Sequence, residues 1–155
     1  MENRKKLHDY GLILIVFSFV SLVTFATGTI SLFVKDDFIT KLEAADSAVR
    51  IVTIVLLCIS GALSLCKLFG ECFVGYKGLQ ISKNPTAARG HITLAKVFFV
   101  LSIILAATLL VTLISDKNAD VLDTVFSLAC AVCDIIIYKA YINAANAVRQ
   151  DAIKG

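Results

Sequence analysis

The run Tyr10–Val34, YGLILIVFSFVSLVTFATGTISLFV, contains no charged residue. A hydrocarbon layer ~30 Å thick, divided by a helical rise of ~1.5 Å per residue, is crossed by about twenty residues. This run is long enough. It follows the basic start Met1-Glu2-Asn3-Arg4-Lys5-Lys6. A cleaved signal peptide has a shorter apolar region ending in a small-residue cleavage site, so the run is read as a retained membrane-spanning helix.

Three further runs of this kind follow. The second extends from about Arg50 to Tyr76 and is interrupted near its end by Lys67 and Glu71. The third, Val97–Ser115, is unbroken, with Lys96 as a snorkelling anchor at its start. The fourth begins near Val121 or Asp123 and carries Asp134 and Lys139. Its last turns, Ala140 to Val148, are expected to leave the membrane as helix. The spans are set at about 10–34, 50–76, 94–115 and 121–146. None shows the ten-residue alternation of a membrane barrel strand, and helices satisfy their own backbone in lipid. The fold class expected is all-α: a four-helix transmembrane bundle forming a single domain.

Composition agrees. Of 155 residues, 58% are hydrophobic and 17% charged, against ~45–50% apolar in a soluble domain. The net charge of +3 is too small, and its basic residues too scattered, for nucleic-acid binding. They sit instead at helix ends. Arg4, Lys5 and Lys6, then Lys77, Lys83 and Arg89, then Lys139, Arg149 and Lys154 fall on one side. The other two connections, Lys35-Asp36-Asp37 through Asp46 and Asp116 through Asp120, are acidic. The positive-inside rule places both termini in the cytoplasm.

The chain also reads as two tandem, parallel helix hairpins. Gly75-Tyr76-Lys77-Gly78 aligns with Ile137-Tyr138-Lys139-Ala140, with Asn84 and Asn146 at the same offset, and Phe19-Val20 aligns with Phe99-Val100. Apolar helices produce such matches by chance equally well. On this alignment Tyr76 and Tyr138 mark the cytoplasmic interface, where amphipathic rings collect. Asn84-Pro85 closes the second helix, because proline disfavours helix for the residue before it, and Thr86 to Gly90 completes the turn.

Asp134 is the first candidate for chemistry. Ionisable residues at membrane depth mark ion or proton paths, or else pair inside the bundle; Lys67 is the partner the second reading requires. Lys67 and Glu71, spaced i, i+4, form a local ion pair in the simpler reading. Stripes of small and hydroxyl residues (Ser18, Ser21, Thr24, Gly28 and Ser31; Ser60, Gly61 and Ser64; Ser127, Ala131, Ala140, Ala144 and Ala147) let helices approach closely. His8 and His91 have no partner at metal-ligand spacing, and no metal is expected.

Five cysteines, Cys58, Cys66, Cys72, Cys130 and Cys133, all lie within spans, which indicates no extracytoplasmic disulfide framework. Cys130-Ala131-Val132-Cys133 is a C-x-x-C on one helix face. In a small four-span protein this motif resembles the vitamin K epoxide reductase family. The resemblance implies a redox pair, Cys130 and Cys133, passing electrons to a quinone. That family also carries relay cysteines after its first span, and Lys35 to Arg50 contains none. Cysteine as apolar filler is the competing reading, with no cofactor. Four spans, short loops and the G-Y-K-G…N-P turn are similar to uncharacterised small bacterial membrane proteins, which implies a bacterial plasma (inner) membrane. The functional expectation is an oligomeric channel- or transporter-like protein or a membrane interaction module, non-enzymatic, whose partners are lipids, further copies of itself or another membrane protein. The alternatives are the quinone-coupled thiol oxidoreductase and a regulatory or immunity-type protein acting through helix contacts.

Overall fold

The computed structural model describes residues 2–34, 36–85, 89–115 and 121–154. Lys35, most of the turn after Pro85 and the acidic connection Asp116–Asp120 lie outside the described residues, as do the side chains of Ser31 and Asp123. The described chain is helical: α1 Glu2–Val34, α2 Asp36–Ala44, α3 Ser47–Lys83, α4 Gly90–Ser115 and α5 Val121–Lys154.

Four of these are the expected helices, and each outruns the span assigned to it. At ~1.5 Å per residue, the 37 residues of α3 reach about 55 Å, nearly twice the hydrocarbon thickness. Glu2 opens α1, favourable at a helix N-terminus, and bonds Lys6 one turn on. α3 ends where expected: Asn84 N–H still donates to the Gln80 carbonyl, and Pro85 follows. α4 starts at Gly90, its first turn closed onto the Arg89 carbonyl by the N–H groups of Ile92 and Thr93.

The fifth helix, α2, occupies a segment read from sequence as an acidic loop. At nine residues it is too short to stand alone in water, and Arg50 holds its end. The guanidinium donates to the Leu42 carbonyl at 3.1 Å through Nε, and through Nη2 to those of Glu43 at 2.6 Å and Ala45 at 3.4 Å. Those carbonyls are the ones a helix C-terminus leaves unmatched. Asp46 turns the chain into α3, its carboxylate accepting from Ser47 N–H at 2.8 Å. The basic residue thus closes a local cap that charge counting along the loop does not reveal.

The chain forms two compact units: residues 1–15 with 73–155, and Val16–Cys72. In the first, α4 packs against α5. Phe98 stacks on Tyr138 at 6.0 Å and His91 meets Tyr141 edge-on at 6.2 Å; rising numbers on one helix meet falling numbers on the other, so the pair is antiparallel. A continuous core joins Leu7 and Leu14 of α1, Val74 and Ile81 of α3, Ile92, Ala95 and Phe98 of α4, and Tyr138, Tyr141, Ala144, Ala145 and Val148 of α5. These recur at three-, four- or seven-residue spacings, one face per helix.

Burial is uneven along the helices. Residues 47–70 of α3 include none that is buried, and 107–115 of α4 none either. The core gathers at the helix ends that carry the basic residues. In water an apolar face must be covered; in lipid it need not be, because the tails are as apolar as leucine. Phe69, 69% exposed, and Ile114, 82% exposed, fit a lipid-facing surface.

Tyr138 departs from expectation. The repeat alignment pairs it with Tyr76 as an interfacial ring, and Tyr76 is exposed, but Tyr138 is fully buried in the core. Phe98 stacks on it from α4, so only one ring of the aligned pair faces a neighbouring helix.

Candidate functional site

Lys67 and Glu71, both in the Val16–Cys72 unit, come together as the spacing predicts: the ammonium lies 3.5 Å from a Glu71 carboxylate oxygen. Glu71 is 1% exposed, whereas the Lys67 side chain keeps a third of its surface. The α3 face bearing Glu71 is therefore enclosed in protein. The lysine reaches it from a flank, its long stem crossing one turn of helix.

Asp134 belongs to the other unit. It is 5% exposed and lies one turn before the buried Tyr138 on α5. An aspartate at this burial is either hydrogen-bonded or ion-paired inside the protein, since desolvating a bare carboxylate costs several kcal/mol or more. Ala131, three residues earlier, is 2% exposed, so Asp134 lies on the packed stripe of α5 and not on its exposed side.

Cys130 is half-buried and Cys133 exposed, with no disulfide between them. Cys72 is a third case: its Sγ lies 3.0 Å from Ser18 Oγ, and Ser18 is fully buried. Within the Val16–Cys72 unit this joins α1 to α3. Other hydroxyls of the stripes turn back on their own helix instead, Thr24 onto the Val20 carbonyl at 3.0 Å and Ser64 onto that of Ser60 at 2.9 Å, the usual outlet for a hydroxyl in an apolar helix.

A close helix approach in the first unit uses glycines outside those stripes. A Cβ added at Gly11 would stand 2.8 Å from the Gly75 carbonyl oxygen, and one at Gly75 would stand 2.6 Å from the Gly11 carbonyl oxygen and 2.7 Å from Ile15. Only hydrogen fits. One turn on, a Cβ at Gly78 would meet the Tyr141 ring at 2.7 Å. Tyr141 is fully buried and donates its hydroxyl hydrogen to the Val74 carbonyl at 2.9 Å. The Gly75–Gly78 pair thus lets α1 approach on one side and admits a tyrosine on the other. Sequence reasoning treats these glycines only as a repeat signature and passes over Tyr141; the G-x-x-G spacing was the available signal.

Among the described residues, four helices are long and apolar enough to cross a membrane: Glu2–Thr27 within α1, α3, α4, and Thr124–Ile153 within α5. The architecture is that of an all-helical protein compatible with multi-pass membrane insertion. No protein-family model, curated protein or solved structure matches the chain.

Proposed function

We propose that this chain is an integral membrane protein of the bacterial plasma membrane. It crosses the bilayer four times with both termini cytoplasmic, its two hairpins being tandem copies in one orientation, and it works as an oligomeric, transporter-like protein. The observation that carries the reading is the enclosure of two carboxylates, Glu71 at 1% and Asp134 at 5% exposure, in helices otherwise apolar enough to span. Acidic residues sequestered at membrane depth mark ion or proton paths by default. Asp134 supplies a carboxyl group enclosed in the helix packing, and Lys67 lies 3.5 Å from Glu71. A lone four-helix bundle has a narrow interior, so the conducting form is an assembly of copies, closed by symmetry. The exposed apolar surface supplies the contact area.

The test is flux in reconstituted liposomes under an imposed proton or sodium gradient, after reporter fusions at both termini have fixed the orientation. Asp134→Asn preserves shape and removes the titratable group; it is expected to abolish flux while leaving insertion and oligomer size unchanged. Wild-type protein with no flux above empty vesicles, or Asp134→Asn conducting as well as wild type, refutes the transport reading and leaves the interaction module.

A further inference from the structure

A groove of about 320 Å³ opens between the C-terminal end of α3 and the start of α4, within the first compact unit. Its wall includes Phe73, Lys77, Gln80, Asn84, Gly90 and His91. Among the described residues no carboxylate lines it, and Lys77 supplies a full positive charge. We propose that this groove binds a phosphate group, and that the group belongs to an anionic lipid headgroup.

Lys77 is placed in advance. Its ammonium donates to Gln80 Oε1 at 2.9 Å and lies 5.9 Å from the centroid of the Phe73 ring. Ordering a lysine before it binds lowers the entropy lost when it does. The first turn of α4 adds to the field. Gly90 lies on the wall, a Cβ there would meet nothing within 4 Å, and a helix start presents N–H groups and the positive end of the macrodipole. The amides of Gln80 and Asn84 offer further donors.

A second observation points to a ligand independently. His91 is 4% exposed, and its Nε2 is buried without a hydrogen-bond partner among the described residues. A buried polar atom left unmatched costs ~1–3 kcal/mol. His91 also lines the groove, so a polar ligand there is the partner we assign to this atom.

Position selects the lipid over the free ion. Lys77 follows Tyr76, the exposed ring at the cytoplasmic edge of the second span, and Phe73, also exposed, stands one turn closer to the hydrocarbon. A headgroup phosphate on Lys77 therefore leaves its acyl chains running along an apolar wall. Inorganic phosphate gains nothing from Phe73.

This inference rests on the membrane reading above, and the two fail separately: the topology fusions report on insertion, and the following measurement is made on inserted protein. The full chain is assembled into nanodiscs of phosphatidylcholine alone or mixed with phosphatidylglycerol, released into detergent, and its retained lipid counted by native mass spectrometry. Wild type is expected to keep phosphatidylglycerol selectively. Lys77→Gln should weaken retention about ten-fold or more, the effect of losing one charge-assisted bond. Lys83→Gln, which removes an equal charge from the same helix outside the groove, should retain lipid as wild type does. In a second arm, delipidated protein is titrated with inorganic phosphate while the His91 imidazole is followed by NMR. A Lys77-dependent shift at millimolar phosphate without selective lipid retention moves the site to the free ion. Equal retention in wild type and Lys77→Gln with no imidazole shift, or an equal loss in both lysine variants, overturns the proposal.

Discussion

Replacing Gly75 by alanine tests the packing of the first unit more sharply than any other single change. The added Cβ would sit 2.6 Å from the Gly11 carbonyl oxygen, where ordinary contact begins at 3.4 Å. The shortfall is about 0.8 Å, and the obstructing atom is backbone, so α1 must move as a body away from α3. Overpacking of this kind costs ~1–3 kcal/mol. Any Cα–H···O bond broken as the backbones part adds ~0.5–1 kcal/mol. Alanine returns ~1 kcal/mol through its better helix propensity. The expected net is destabilisation of ~0.5–3 kcal/mol. Gly78→Ala should fall in the same range, because the obstructing Tyr141 ring is fully buried and cannot swing aside. Gly90→Ala carries the propensity change without the clash and should be neutral or slightly stabilising. The assay is unfolding by SDS titration in mixed micelles, followed by tyrosine fluorescence. The chain has no tryptophan and four tyrosines, and Tyr138 and Tyr141 stand in this core. If Gly75→Ala proves as stable as Gly90→Ala, α1 and α3 do not meet through Gly11 and Gly75.

Other perturbations follow from the same physical picture. Arg50→Ala removes the donors that close α2, and hydrogen exchange over residues 36–44 should then rise to near the unprotected rate while α3 stays protected; unchanged protection would show that α2 does not depend on this cap. Lys67→Met removes the ammonium 3.5 Å from the buried Glu71 carboxylate and should destabilise the fold by less than the ~3–5 kcal/mol of a fully buried pair, because a third of the lysine side chain is exposed. The double variant Lys67→Met/Glu71→Leu should recover most of that loss in the same SDS titration. A double variant no more stable than the single one would mean the pair is not coupled.

The candidate site was half legible. Lys67 and Glu71 could be paired from spacing alone, because i, i+4 neighbours on a helix meet whatever the fold. The enclosure of Asp134 could be suspected but not placed, since nothing in an isolated helix says which face a neighbour will cover. Tyr138 and Tyr76 show the difficulty directly. Both lie in a -Tyr-Lys- pair at the end of an apolar run, yet one is buried and the other exposed. Sequence assigns them a common role because their local contexts match.

What the sequence determined by itself is the set of long apolar helices, their approximate limits and the stop at Asn84-Pro85. Those are one-dimensional properties: length, absence of charge, and the steric effect of a proline on its predecessor. Tertiary structure alone decided the rest. It drew the core to the basic ends of the helices, closed α2 with Arg50 from the next helix, and brought Gly11 to Gly75 and Tyr141 to Val74. It also opened the groove beside Lys77. Each of these joins residues whose meeting depends on how helices rotate and cross. In an apolar sequence every helix face offers hydrophobic surface to a neighbour, so hydropathy does not choose among them. The choice falls to steric fit and to the few polar atoms that need a partner.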